Sequence, residues 1–328
     1  MASSILVFRQ VMRSHVLRLG LAVVLSFGLC SIYSTQWGPE LRFWKQAYLK
    51  KMKWADQLQA DGGSKVVFAG GSSCTFAVRP DVFQQMGISC VNMGGHAGMG
   101  ALFLCSVAIE TLNAGDTLIL AVEPDLLSGI EIVPRKLGIQ TATVLGDKDL
   151  AVAEKITGQS LALSKWLSAM RPGGRHTVTM LSKILLRRPL YRYSVSELGL
   201  GGWAYTSYQD EVAKPCGKIT KDPVLSSAGM ELLLMIKQRC DEYGVHVAYA
   251  IPVVLTEEEA LDHNRSYFKQ LGEAISHVLP VLNDPFYGAE SRKELFADTA
   301  LHLTPEGASM RSKLLAQLVQ EWDVISAE

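Results

Sequence analysis

Lys65-Val66-Val67-Phe68-Ala69-Gly70-Gly71-Ser72-Ser73-Cys74 decides how the rest of the chain is read. Apolar and β-favouring residues run into two glycines and then a hydroxyl. The pattern is that of a buried strand ending in a tight turn that presents a serine at the carboxyl edge of a sheet. Glycine suits such a turn because its backbone takes φ > 0 and lets a bound group come close. A serine alone is a weak nucleophile, so a base and an orienting acid are needed as well. Far downstream, Asp298-Thr299-Ala300-Leu301-His302-Leu303-Thr304-Pro305-Glu306-Gly307 supplies both residue types.

Outward from the first stretch, strand and helix patterns alternate. Strands are expected at Lys65–Ala69, Ile88–Met93, Asp116–Val122 and Val245–Ile251. A fifth is expected around Val281-Leu282, where Pro280 confines it to an edge or a strand start. Helical patterns fill Gly98–Leu112, Ser226–Tyr243, Thr256–Val278 and Pro305–Ile325. Such alternation predicts an α/β fold with a mostly parallel, five-stranded sheet covered on both faces. Ligands of that architecture bind at the carboxyl ends of the strands. The interval between the third and fourth strands is far longer than one crossover helix needs. It reads as a helical insertion at about 126–225, capping the active edge or facing the membrane. It holds a basic amphipathic stretch, Leu181 to Arg188, and a Gly/aromatic turn, Leu198 to Tyr205.

Ahead of the strand, Arg9, Arg13 and Arg18 precede a run from Leu19 to Pro39 without any charge. Residues 16–37 are long and apolar enough for a transmembrane anchor, with Tyr33 and Trp37 as interface aromatics. The basic flank keeps 1–15 as a cytoplasmic tail and exports the remainder. No small-x-small cleavage site follows the apolar run, and Leu29 before Cys30 argues against a lipoprotein signal, so an uncleaved anchor is preferred to a signal peptide. Residues 38–62 are expected to form a stalk helix, and 63–328 the domain. Acidic and basic residues balance at 32 each. No basic cluster is interleaved with aromatics, so no nucleic-acid partner is expected. The six cysteines show no zinc-ligand spacing, so neither metal nor cofactor is expected. In an oxidising space Cys216 with Cys240 is the candidate bridge, and Cys74, Cys90 and Cys105 read as core residues.

Ser72 is the candidate nucleophile and Ser73 the next; the bland reading of either is a turn serine that caps the following helix. His302 is the candidate base, in the loop before the last helix, where Thr304-Pro305-Glu306 reads as N-cap, N1 and first-turn acid. Asp298, four residues earlier, can hold the other imidazole nitrogen; otherwise the pair is a surface histidine near an unrelated acid. The loop Asn92-Met93-Gly94-Gly95-His96-Ala97-Gly98-Met99-Gly100 can supply oxyanion donors. Gly98 and Gly95 are the backbone candidates and Asn92 the side-chain one, unless the loop needs glycine only for its turn. It lacks the spacing of a phosphate cradle.

In combination these blocks resemble the SGNH/GDSL-type hydrolases, over about residues 64–125 and 245–325. The runs GGSSCTFAVRP, VNMGGHAGMG, GDTLILAVEPD and DTALHLTPEGA are similar to membrane-anchored SGNH-like proteins of bacterial envelopes. The resemblance implies a flavodoxin-like three-layer sandwich with Ser72 as nucleophile, His302 as base and Asp298 as its orienter. It implies a single-pass protein of the bacterial inner membrane with its domain in the periplasm. The implied partners are an envelope polysaccharide and a membrane-bound O-acyltransferase. The activity it implies is that of a serine esterase or O-acyltransferase working on O-acetyl esters of the glycan. The alternative is a catalytically inactive module that binds glycan or a partner in an acylation and export complex. Three positions depart from the family pattern. Gly71 stands where an acid is frequent, Asp298 and His302 are one residue wider apart than usual, and Glu123 stands where an asparagine donor is usual. Either Glu123 has another role, such as holding the glycine loop or meeting a sugar hydroxyl, or the oxyanion hole uses backbone groups only.

Overall fold

The computed structural model describes residues 2–127, 135–146, 163–171, 173–206, 213–223, 225–282 and 284–326. Among these, the chain runs α1 (Ala2–Ile32), a π turn (Tyr33–Trp37), α2 (Pro39–Ala60), β1 (Val66–Gly70), α3 (Ser72–Ala77), α4 (Pro80–Gln85) and β2 (Cys90–Asn92). It continues with α5 (Ala101–Ile109), β3 (Thr117–Ala121), α6 (Lys136–Leu145), α7 (Leu163–Ala169) and α8 (Gly174–Leu185). The last elements are α9 (Ser227–Tyr243), β4 (His246–Tyr249), β5 (Val254–Leu255), α10 (Leu261–Ser276), β6 (Ala289–Glu290) and α11 (Pro305–Ser326). Residues 128–134, 147–162, 172, 207–212 and 224 of the expected insertion lie outside the described residues.

The fold is α/β. Four parallel strands stand in the order β2-β1-β3-β4, and β5 pairs β6 in a separate parallel ribbon. β1 is buried along its whole length, as a strand covered on both faces must be. Its alternate side chains go to different cores. Val67 and Ala69 join Leu118, Leu120 and Tyr249 against α2, α5, α9 and α10. Val66 and Phe68 join Ile119 and Ala248 against Phe83 of α4 and Leu315 and Val319 of α11.

The fifth strand shrinks to a single parallel bridge, Tyr249 to Val281. Tyr249 N–H donates to Pro280 O, and Leu282 N–H to Tyr249 O, each at 2.8 Å. Proline has no N–H with which to lengthen the ladder. Four ladder strands and this bridge therefore replace the expected five-stranded sheet.

Two further expectations are corrected. The segment read as a stalk is α2, and it is a wall of the domain. Trp44, Ala47, Tyr48 and Lys51 are 0% exposed, packed over β2, α6 and the Leu200–Gly202 turn. A charged, aromatic helix can look like a linker in sequence when its buried lysine is counted as polar surface. The cysteines are all free: Cys240 lies in the core while Cys216 lies half-buried beside Thr256 and Asn264, so they do not bridge. Cys74, Cys90 and Cys105 are buried, as expected. At the amino end, the stretch Met12–Trp37 is helical, has a mean hydropathy of 1.9 and is long and apolar enough to cross a bilayer.

Candidate functional site

The site forms where β1, β2 and β3 end. β1 turns through Gly70 and Gly71 straight into α3. A Cβ on Gly70 would collide with the Ala121 carbonyl, and one on Gly71 with the Glu123 carboxylate. Both glycines are there because the neighbouring chain passes too close for a side chain.

Glu123, 6% exposed, is the side chain that lies against Gly71. Its Oε2 accepts from Gly71 N–H at 3.0 Å, and its Oε1 accepts from Ser73 N–H at 3.0 Å and Ser73 Oγ–H at 2.7 Å. A carboxylate at a helix start satisfies orphan amides and suits the positive end of the helix. Glu123 thus holds the glycine turn and the start of α3. Ser73, 3% exposed, is committed to it. Ser72 is the first residue of α3 and is partly exposed.

Asp298 and His302 face each other because their loop closes on itself. Phe296 and Leu303 form an antiparallel bridge, and Ala297 N–H donates to His302 O at 2.8 Å. Residues 298 and 302 therefore stand at the two sides of one neck, which is how the wider spacing still works. His302 Nδ1 lies 2.9 Å from Asp298 Oδ1. An ionised carboxylate only accepts, so the imidazole proton sits on Nδ1 and the lone pair on Nε2. Asp298 Oδ2 also accepts from Arg192 Nη1–H at 2.8 Å and from Tyr193 Oη–H at 2.9 Å. Burial raises the Asp298 pKa, but the hydrogen bond and charge of His302, with the bonds from Tyr193 and Arg192, outweigh it and hold the acid well below the usual carboxylate range.

The other face of His302 is fixed by Phe76, with ring centroids 4.2 Å apart and planes 21° from parallel. Phe76 follows Ser72 by four residues in α3, so the two share one helix face, about 5–6 Å apart at Cβ. Ser72 therefore stands one helical turn from the ring that stacks on His302.

The glycine loop is held differently from expectation. Gly95 N–H donates to Gly70 O at 2.9 Å, and Gly98 N–H to His96 Nδ1 at 2.9 Å. Both amides are engaged inside the protein and are not open oxyanion donors in this arrangement. Asn92 is wholly buried; its Nδ2 donates to Val78 O at 2.6 Å and Cys74 O at 3.1 Å, and its Oδ1 accepts from Gly94 N–H at 2.9 Å. It ties the loop to the end of α3 and presents no donor to the site. Gly95 is required because a Cβ there would strike the Tyr48 hydroxyl. Beneath it, Lys51 Nζ donates to Gly94 O at 2.5 Å. Burial pulls the Lys51 pKa down to about 7, against an opposing pull from Cys74.

Four site residues escape a reading of the sequence. His96 accepts on Nδ1, so its neutral ring carries the proton on Nε2. Burial first, then the charge of His302, press its pKa down to about 4, so its ring is neutral near pH 7. Its place between Gly95 and Ala97 was the available signal. Arg192, Tyr193 and Phe76 give no local signal, because their roles come from packing across long stretches of chain.

Among the described residues no group of His, Cys, Asp and Glu is arranged to hold a metal ion. The chain matches no protein-family model, and no curated protein shows significant similarity to it.

Proposed function

We propose that the chain is a membrane-anchored, exported serine esterase or O-acyltransferase that acts on ester groups, O-acetyl above all, of a cell-envelope polysaccharide. The observation that carries this reading is the Asp298–His302 pair, with Nε2 left as a base and its ring stacked on the residue one turn after Ser72. The strand order 2-1-3-4 with a further parallel bridge supports a flavodoxin-like, SGNH-type three-layer sandwich, in which ligands lie at the β1/β3 switch point. Ser72 follows β1 and Glu123 follows β3, on either side of that point.

In the reaction, Ser72 Oγ attacks the ester carbonyl as its proton passes to His302 Nε2. The carbonyl oxygen gains the charge. With the Gly95 and Gly98 amides engaged, its donors are the Ser72 N–H and the Nε2–H of His96. The bond to the leaving alcohol breaks, His302 returns the proton to that alcohol, and an acyl-serine remains. Water or a sugar hydroxyl then attacks, gives its proton to His302, and releases Ser72 with its proton restored. Asp298 stabilises the imidazolium in both halves. The basic flank before the apolar stretch orients the domain to the exported side. A membrane-bound O-acyltransferase that delivers the acyl group is the partner this reading assigns.

The rival is a catalytically inactive glycan- or partner-binding module, favoured by the engagement of the Gly95 and Gly98 amides. A fluorophosphonate probe decides between them. The native chain is expected to label and Ser72→Ala to lose the label while keeping its melting transition. A native chain that never labels and never cleaves p-nitrophenyl acetate sinks the enzyme.

A further inference from the structure

α8 keeps His176, Met180 and Lys183 half-buried on one face and turns an aliphatic stripe outward. Val178, Leu181, Ile184 and Leu185 in that stripe are 56% to 82% exposed. α7 adds Leu163 at 70% and Leu167 at 38%, one turn apart. A soluble surface seldom leaves so much aliphatic area together without a partner for it.

Three observations identify the partner. The first is depth. Trp166 and Phe27 of α1 pack against the same small core of Ile139, Ala169 and Met170. Phe27 lies within the apolar stretch Met12–Trp37 and six residues before the interface aromatic Tyr33, about 9 Å along a helix. α7 is therefore level with the apolar stretch rather than beyond it. The second is continuity: the Tyr33 ring meets the edge of His176, at the start of α8, with centroids 6.4 Å apart. The third is charge. From Leu163 to Ser196 the sequence contains seven Lys and Arg residues and no acid. A second copy of the chain would bring the same positive charge to the contact, whereas anionic headgroups oppose it.

We propose that α7 and α8 lie in the headgroup–acyl boundary of an anionic bilayer, with the aliphatic stripe inward, as a second membrane contact beside α1. A basic helix with one apolar face is suited to that plane. The inference rests on the reading of α1 as a membrane span. It also bears on the site, because residues 186–193 lead directly from α8 to Arg192 and Tyr193 at Asp298.

The test is spin-label accessibility in the full chain, in vesicles of phosphatidylethanolamine and phosphatidylglycerol, with the partly exposed Cys30 and Cys216 changed to serine. One label goes at Leu185→Cys, which is 82% exposed, and in a separate sample one goes at Leu21→Cys of α1, 59% exposed. Both are expected to collide freely with dissolved oxygen and weakly with a water-soluble nickel chelate, Leu185 at the shallower depth. A Leu185 label open to the chelate while Leu21 stays lipid-exposed overturns the second contact and leaves the anchor. Chelate access at both positions overturns the span and the second contact together. A Leu185 label shielded from both reagents means that protein covers the stripe, which also overturns the proposal.

Discussion

The Phe76 ring lies flat against His302, 4.2 Å between centroids, four residues after Ser72 on the same short helix. His302 is therefore positioned by the helix that carries Ser72, and its Asp298 contact holds the edge of the ring. Replacing Phe76 with leucine keeps most of the volume and removes the flat surface. We expect ester hydrolysis to fall about 10²-fold through kcat, since small misplacements cost that much, with KM little changed. A folded Phe76→Leu protein with native kcat would show that the stacking does not position the base.

Ser72 and Ser73 are adjacent yet predicted to behave differently. Ser73→Ala removes a hydroxyl that donates to Glu123, so it should cost about 1–3 kcal/mol and still label with fluorophosphonate. Melting curves and gel labelling read the two effects separately. Label lost in Ser73→Ala and kept in Ser72→Ala would exchange their roles.

Glu123→Gln puts an amide where a carboxylate accepts from two backbone N–H groups and a hydroxyl. One of those donors must then face an NH2 group. The expected cost is about 1–3 kcal/mol, with slower labelling of Ser72 because its helix start is loosened. An unshifted melting temperature argues that the carboxylate does not hold the turn.

Asp298→Asn places a donor opposite His302 Nδ1 and drives the proton to Nε2, so the base loses its lone pair on the side of the serine. Turnover of p-nitrophenyl acetate should drop by about 10⁴. Near-native turnover in a folded variant would remove Asp298 from the mechanism.

Lys51 should reveal itself through pH. Its folded pKa is lowered from 10.5 to about 7, so between those values the unfolded chain holds a proton that the folded chain lacks. Stability from this group then rises with pH, by up to about 1.4 kcal/mol per pH unit. Lys51→Met removes that slope. Denaturation of both proteins from pH 7 to 8.5, below most thiol and phenol titration, should show the variant's stability relative to native falling as pH rises. A difference that does not change with pH would mean that Lys51 is charged in the fold.

Much of this arrangement is legible in the sequence itself. The strands around Val67, Val91, Leu118 and Val247 were readable because each is a short apolar run beside glycine or turn residues, and a parallel strand covered on both faces needs that composition. The serine turn, the carboxylate–histidine loop and the helix begun by Pro305 were readable for similar local reasons. The engagement of the Gly95 and Gly98 amides was not, since a glycine's sequence neighbours do not say which acceptor its N–H will meet. Nor was the burial of α2, because a lysine inside a core looks like any lysine on a surface.

Local chemistry along the chain determined which segments become strands and helices, where the chain turns, and which stretch is apolar enough for a bilayer, because these depend on residues within a few positions of each other. Only the tertiary structure decided that Glu123 clamps the turn at Gly71, that Tyr193 and Arg192 reach Asp298, and that Phe76 stacks on His302. Those contacts join residues from 50 to more than 200 positions apart, and their existence depends on how whole elements pack.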